Sequence, residues 1–238
     1  MYNDYSPERL GVRPTAQLAN RFLIDAFLWM FLGVLLSGMI AWIVQSNLSL
    51  TQSVADWLIP LLIAQLGLGL GIQWGIRRLN AGVALALFFV YAALMGLTIG
   101  VWVWYYATAN GNPMSVVQAF ISASAAFGGA ALYGIVTRRS LASMGAYLFM
   151  GAWGLFFAFL INGFLVHSST LDLVLSVVGV VIFTALAAWT TQRISKGEFA
   201  ARTGSMEKAS VLGAILLYIE FINIFLMLLR IFGGGGRN

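Results

Sequence analysis

Long apolar segments alternate with short polar ones along most of this chain. Each of the seven apolar segments reaches the roughly 20 residues that an α-helix needs to cross about 30 Å of hydrocarbon. Within them, polar and apolar residues do not alternate as they would in the strands of a membrane β-barrel. The pattern therefore predicts an all-α polytopic membrane bundle of seven transmembrane helices, at 22–44, 57–76, 81–106, 114–136, 141–166, 171–190 and 209–232.

Composition indicates that lipid surrounds most of the chain. Of the 238 residues, 61% are hydrophobic and 9% are charged, and the mean hydropathy is +0.90. These values lie outside those of ordinary soluble domains. The loops leave no room for a soluble domain, and we expect the first helix to be retained because it is too long for a signal peptide. The predicted organisation is a polar cytoplasmic segment at 1–21, one transmembrane domain at 22–232 and a flexible tail at 233–238.

Basic residues occupy every second loop. If all seven segments cross the membrane, these loops share one face, and the loops of the other face at 45–56, 107–113 and 167–170 contain no Lys or Arg. By the positive-inside rule the N-terminus is cytoplasmic, so the net charge of +5 indicates orientation and not nucleic-acid binding. Arg230 and Arg237 do not fit this pattern. The basic face carries Arg9, Arg13, Arg21, Arg77, Arg78, Arg138, Arg139, Arg193, Lys196, Arg202 and Lys208.

Glycine recurs every fourth residue in the second segment, at Gly67, Gly71 and Gly75. This spacing places the three on one helix face, where small residues let a neighbouring backbone approach closely. Gly128 and Gly129 in the fourth segment suggest the same dense packing. We expect tight helix packing at these positions and not a role in conduction.

An acidic residue, Glu220, lies about eleven residues into the last segment, about 16 Å along its axis. A carboxylate at such depth costs several kcal/mol unless it is protonated, paired or in contact with water. The functional interpretation is a protonation switch or a cation ligand; the structural one is a neutral acid that joins helices. Asn223 shares its face and offers a hydrogen-bond partner. We favour function, because helices are usually joined by Asn, Gln, Ser or Thr and do not need an acid.

Other ionisable residues near the ends of the segments have structural interpretations. Arg21 and Asp25 have the i,i+4 spacing of a helical ion pair near the cytoplasmic entry. Asp56 and Asp172 precede or begin apolar segments, where a negative charge favours a helix N-terminus. His167 lies in an outer loop and is expected to be solvated.

Enzymatic chemistry finds no support in the sequence. There is no cysteine, and His-Glu-x-x-His, Gly-x-Ser-x-Gly and phosphate-binding Gly-x-x-x-x-Gly-Lys patterns are absent. We therefore predict that the protein is not an enzyme and needs no cofactor.

The C-terminal third resembles the Bax inhibitor family, the transmembrane Bax-inhibitor-motif proteins, and most closely its bacterial branch. The resemblance is carried by 188–194 (AWTTQRI) and 212–233 (LGAILLYIEFINIFLMLLRIFG), with further similarity at 96–98, 127–134 and the double-basic loop at 138–139. It extends from about Arg21 onward. The resemblance implies a fold in which six helices surround a central seventh, and a calcium leak channel whose opening depends on pH.

In that family, two aspartates near the end of span six and in the middle of span seven share a proton. The second corresponds to Glu220, whereas the first corresponds to Thr190 and is missing. Two nearby carboxyl groups cannot both ionise easily, and this coupling should be lost here. We expect weakened or shifted pH gating and lower calcium affinity, because calcium prefers more than one carboxylate. Asp25 is a candidate partial substitute.

Three functional hypotheses remain open at this point. The leading one is a calcium leak pathway with Glu220 as proton-responsive gate and calcium contact, and with Thr190 and Asn223 as its polar neighbours. The second is a non-conducting regulator that binds a membrane protease or a stress-response complex through 1–20 or 191–208. An intramembrane enzyme is the third and least supported. A bacterial inner membrane is the expected location.

Overall fold

The computed structural model describes residues 16–109 and 111–234, which form helices joined by short loops. The expected cytoplasmic segment at 1–21 and tail at 233–238 lie mostly outside the described residues. Single π-helical turns, Tyr105–Ala109 and Asn162–Val166, extend the fourth and sixth helices. The α-helices are α1 Ala16–Gln45, α2 Leu48–Asp56, α3 Leu58–Gly75, α4 Ala81–Trp104, α5 Met114–Val136, α6 Met144–Ile161, α7 Ser169–Ser195, α8 Glu198–Thr203 and α9 Met206–Gly234.

The prediction of a seven-helix membrane bundle is confirmed. Seven helices in the described part of the chain are long and apolar enough to span a membrane: α1, α3, α4, α5, α6, α7 and α9. Their bounds follow hydropathy because each helix must satisfy its own backbone hydrogen bonds in lipid. The last helix continues to Gly234, two residues past the expected end of the transmembrane domain.

The short helix α2 was not predicted, and it corrects the role given to Asp56. Asn47 caps this helix, its side-chain oxygen accepting a hydrogen bond from the Leu50 N–H at 3.1 Å. Thr51 and Val54 face inward. Asp56 is the last residue of α2 and does not cap α3, whose N-cap is Trp57. At nine residues, α2 is too short for a hydropathy pattern to reveal it.

Helix α7 continues past the end expected at Thr190 and runs to Ser195. Polar residues follow Thr190, so hydropathy alone ended the segment there. Thr190, Thr191 and Gln192 are nonetheless buried, because they face neighbouring helices and not water. The polar end of α7 is therefore part of the interior.

Helix α9 is the most buried of the spans. In its most hydropathic stretch 72% of the residues are buried, against 11–39% in the other spans. It packs chiefly against α1, α5 and α7 and less against α4 and the short α8, whereas α3 packs mainly on α4 and α6 mainly on α7. The expectation that six helices surround α9 stays a prediction, since three of them, α1, α5 and α7, supply its main contacts.

The glycine spacing in α3 does not mark a packed face. Gly67 and Gly71 have no neighbouring atom within 4 Å of an added Cβ, whereas Gly69 faces the Tyr91 ring. Spacing shows which residues share a face but not which face meets a neighbour. Close approach occurs elsewhere: a Cβ on Gly96 would lie 2.8 Å from the Ser37 carbonyl oxygen, so this glycine lets α1 and α4 touch.

Successive loops between the spans lie at opposite ends of the bundle, as the positions of the basic residues predict. At one end, Lys208 Nζ in the first turn of α9 donates to the Arg77 carbonyl of the basic α3–α4 loop at 3.1 Å. At the opposite end, Asn112 Nδ2 donates to the Phe232 carbonyl at 3.2 Å. His167 is exposed at this second end, as expected, in the left-handed conformation that closes the turn after α6. Which end is cytoplasmic stays a prediction.

We expect Gly134→Ala to destabilise the bundle and Gly129→Ala to leave it intact. A Cβ at Gly134 of α5 would overlap the Ala188 carbonyl oxygen of α7, whereas Gly129 on the same helix has open space. Overpacking of this kind costs about 1–3 kcal/mol. Thermal unfolding of the purified variants in detergent measures the difference; equal midpoints would contradict the α5–α7 contact.

Candidate functional site

The centre of the candidate site is a buried pair between α7 and α9. The Thr190 hydroxyl donates a hydrogen bond to Glu220 Oε1. Thr190 is 0% exposed and Glu220 is 5% exposed. These two residues were expected to be neighbours, and they are in contact. Helix α9 carries Glu220 inward because residues around it on the same helix are also buried.

Glu220 is incompletely satisfied. Its second oxygen, Oε2, is buried and has no hydrogen-bond partner among the described residues. No ion pair with a basic side chain of the described chain compensates the carboxyl. Burying a charged carboxylate without a partner costs many kcal/mol, so this group must hold a proton, meet water or meet a cation. Glu220 Oε2 is therefore an atom at which a proton, a water molecule or a cation can bind and leave.

Asn223 does not join this pair. Its Nδ2 donates to the carbonyl of Ile219, four residues earlier on the same helix, at 2.8 Å. Sharing a face at i,i+3 brings side chains near each other, but a polar side chain in a helix can also bond its own backbone. The hydrogen bond expected from Asn223 to Glu220 is thus replaced by a local one.

Arg21 and Asp25 are both exposed on α1 and do not form the expected ion pair. Exposed pairs gain little, because water screens the attraction and the side chains lose freedom. Asp25, being exposed, also does not reach the buried Glu220. A role for this pair at the cytoplasmic entry stays a prediction.

Gln192, which the sequence analysis did not single out, holds a loop against the site. Its Oε1 accepts from the Leu141 N–H at 2.8 Å, and its Nε2 donates to the Arg139 carbonyl at 2.9 Å. Both partners lie in the loop between α5 and α6. The only hint in the sequence is a polar triplet, Thr190, Thr191 and Gln192, inside a helix that must be buried. The Thr191 hydroxyl has no partner among the described residues.

A second polar link holds α9 on another side and also escaped the sequence analysis. The Tyr218 hydroxyl lies 2.5 Å from Ser37 Oγ of α1, and Ser37 Oγ is 2.9 Å from the Ala92 carbonyl of α4. The Tyr218 ring packs edge-on against Phe88 and Tyr91. Thus α9 is anchored to α7 through Glu220 and to α1 and α4 through Tyr218.

A cavity of about 480 Å³ lies between α1, α4, α5 and α9, in the half of the bundle away from the basic loops. Its lining runs from Gln45, at the end of α1, to Ser37 and Phe221. Phe221 directly follows Glu220. The floor of the cavity therefore lies at the level of the candidate site, about midway through the bundle.

An ion pair stands at the same end of the bundle as the mouth of this cavity. Arg230 Nη1 donates to Asp172 Oδ1 at 2.9 Å. The guanidinium also lies over the rings of Trp102, at 5.3 Å, and Phe159, at 4.6 Å. Asp172 lies in the first turn of α7 as expected, but Ser168 supplies the cap. The charge of Arg230, which did not fit the positive-inside pattern, is thus compensated; Arg237 lies outside the described residues.

We expect Gln192→Leu to loosen the α5–α6 loop, because it leaves the Leu141 N–H and the Arg139 carbonyl without partners. Each unsatisfied buried group costs about 1–3 kcal/mol. Thr191→Val, which removes a hydroxyl that bonds nothing in the described chain, is the matched control and should be nearly neutral. Hydrogen exchange at the Leu141 amide measures the effect. Equal protection in both variants would refute the link.

Comparison with known proteins shows relatives that match this chain over nearly its full length. The family model described as "Inhibitor of apoptosis-promoting Bax1" matches residues 19–237. "Inner membrane protein YbhL" of Escherichia coli K12 is 37% identical over 228 residues, covering 93% of this chain and 94% of the relative. An uncharacterized protein of Deinococcus radiodurans is 37% identical over 218 residues, covering 91% and 92%.

A third relative, an uncharacterized protein of Borreliella burgdorferi, is 34% identical over 221 residues and covers 91% of this chain and 93% of its own length. The matched region includes all seven spans and both members of the Thr190–Glu220 pair. This chain belongs to the Bax inhibitor-1 family of integral membrane proteins.

Proposed function

We propose that this protein is a calcium leak channel of the bacterial inner membrane, with Glu220 as its proton-responsive gate. The observation that carries the proposal is the buried carboxyl of Glu220, which has one oxygen bonded to Thr190 and the other without a partner in the described chain. A hard cation binds oxygen ligands, and a carboxylate is the strongest of them. Membership of the family supports the same function.

The path we propose enters through the cavity between α1, α4, α5 and α9. Its floor at Phe221 and Ser37 adjoins the site, and the Ser37–Tyr218 bond would have to open or shift for an ion to pass. When Glu220 holds a proton, it has no charge with which to attract a cation, and the path is closed. Loss of that proton, or a cation that replaces it, favours the open state.

The pH response should be weak, because Thr190 stands where the resemblance to the family implies a second acid. A hydroxyl donor stabilises Glu220 without repelling it, so the two-proton coupling of a carboxyl pair is not available. Thr190 also offers a cation only one neutral oxygen. We therefore propose a site of low calcium affinity.

A non-conducting regulator is the second candidate function. The Thr190–Glu220 hydrogen bond joins α7 to α9 and would serve a purely structural role equally well. In this alternative, a partner such as a membrane protease or a stress-response complex binds the protein at the basic end. The location in an inner membrane follows the description of the E. coli relative, and the cytoplasmic N-terminus follows the positive-inside rule.

Flux of calcium into dye-loaded proteoliposomes, recorded between about pH 6 and pH 8, tests the channel. We expect the unmodified protein to leak calcium above empty liposomes with a shallow pH dependence. Glu220→Gln should abolish that dependence, because the side chain no longer titrates. Thr190→Asp should steepen it, because two adjacent carboxyl groups share a proton.

Asn223→Ala is the matched control on the same helix. Its amide bonds its own backbone and not Glu220, so the leak and its pH profile should be unchanged. If no variant conducts above empty liposomes, the channel proposal is wrong and the regulator takes its place. If Asn223→Ala alters the profile as much as Glu220→Gln does, the gate is not at Glu220.

A further inference from the structure

A second cavity, of about 570 Å³, lies in the opposite half of the bundle, between α5, α6 and α7. Helices α5 and α6 both pack on α7 and leave this cleft between them. Its α7 wall runs from Val180 to Trp189, ten residues that span about 14 Å of helix. That length is about half of a 30 Å hydrocarbon core, the thickness of one leaflet. The size falls within the roughly 300–1,000 Å³ of ligand pockets.

The cleft is apolar and open to the surrounding lipid. Ala126 and Ala130 of α5 leave room on one wall, and Val181 on the α7 wall is 64% exposed. Thr184 and Trp189, on the same α7 wall, each have a buried polar atom without a hydrogen-bond partner among the described residues. Most of the other lining residues are apolar, so a ligand with acyl chains matches the cleft, whereas a water-soluble ligand does not.

Unpaired positive charge lies at one end of the cleft. Tyr133 and Leu141 line it and flank the α5–α6 loop, which carries Arg138 and Arg139. Both arginines are exposed, and within the described chain neither side chain has an ion-pair or hydrogen-bond partner. Gln192 fixes the loop against α7, so the two charges are held at the mouth of the cleft.

The geometry points to a binding site for an anionic phospholipid, with its acyl chain between α5 and α6 and its phosphate headgroup at Arg138 and Arg139. Arginine is well suited to phosphate, because its planar guanidinium can donate two parallel hydrogen bonds. The exposed Tyr133 is placed at headgroup level, where amphipathic rings are favoured. The two arginines favour an anionic lipid over a zwitterionic one, and the apolar cleft favours a lipid over a soluble phosphate compound.

Native mass spectrometry of the purified full chain, titrated with phosphatidylglycerol or with phosphatidylethanolamine of identical acyl chains, tests the site. We expect phosphatidylglycerol to bind more tightly. The double variant Arg138→Gln/Arg139→Gln should weaken its binding about ten- to thirty-fold. Arg78→Gln/Lys208→Gln is the matched control, because it removes two positive charges from the same end of the bundle, at the α3–α4 loop and outside the lining of the cleft.

A second pair of variants tests the cleft itself. Val181→Trp fills it, whereas Val177→Trp places the same ring one turn away on α7, outside the lining. Only Val181→Trp should lower phosphatidylglycerol binding severalfold, and thermal unfolding without added lipid verifies that all variants are folded. Equal binding of the two lipids, or an equal loss in the test and control variants of either pair, would overturn the site.

Discussion

Helix α9 carries polar side chains through the most buried part of the bundle because its neighbours supply their hydrogen-bond partners. In lipid an unsatisfied polar group finds no water to replace a missing bond. The Tyr218 hydroxyl meets Ser37 of α1, and the Glu220 carboxyl meets Thr190 of α7. These two links fix the rotation and depth of α9, and the aromatic and aliphatic contacts pack around them. The Oε2 atom of Glu220, which has no partner in the described part of the chain, is the exception on which the proposed function depends.

Helix α7 connects the features of functional interest. One side of it bonds Glu220 through Thr190, another holds the α5–α6 loop through Gln192, and a third forms the wall of the lipid cleft at Val181 and Trp189. A ligand in the cleft would contact α7, the same helix that positions the carboxyl of Glu220. Because a helix is stiff along its axis, a shift of α7 at the cleft would also move Thr190. The end of α7 opposite the basic loops is linked to α9 by the Asp172–Arg230 ion pair.

Hydropathy predicted the seven spans because lipid imposes the same length and composition on every crossing helix. It placed the end of α7 too early, since Gln192 is polar yet bonded inside the protein. The tight packing predicted from glycine spacing is absent at Gly67 and Gly71, because a periodic pattern shows which residues share a helix face but not what that face contacts. The Thr190–Glu220 contact was predictable only from the resemblance to a family. The partner of Arg230 lies 58 residues away, and no local pattern in the chain could reveal it.

The order of synthesis gives the burial of α9 a further consequence. A chain emerges from its N-terminus, so this helix is the last span to enter the membrane, although it is the most buried one. Until it arrives, Ser37 and Thr190 lack the groups that they contact in the finished protein. Until then α1, α5 and α7 also lack the helix against which they pack in the finished bundle. The contacts that fix α9 can therefore form only after all seven spans have been made.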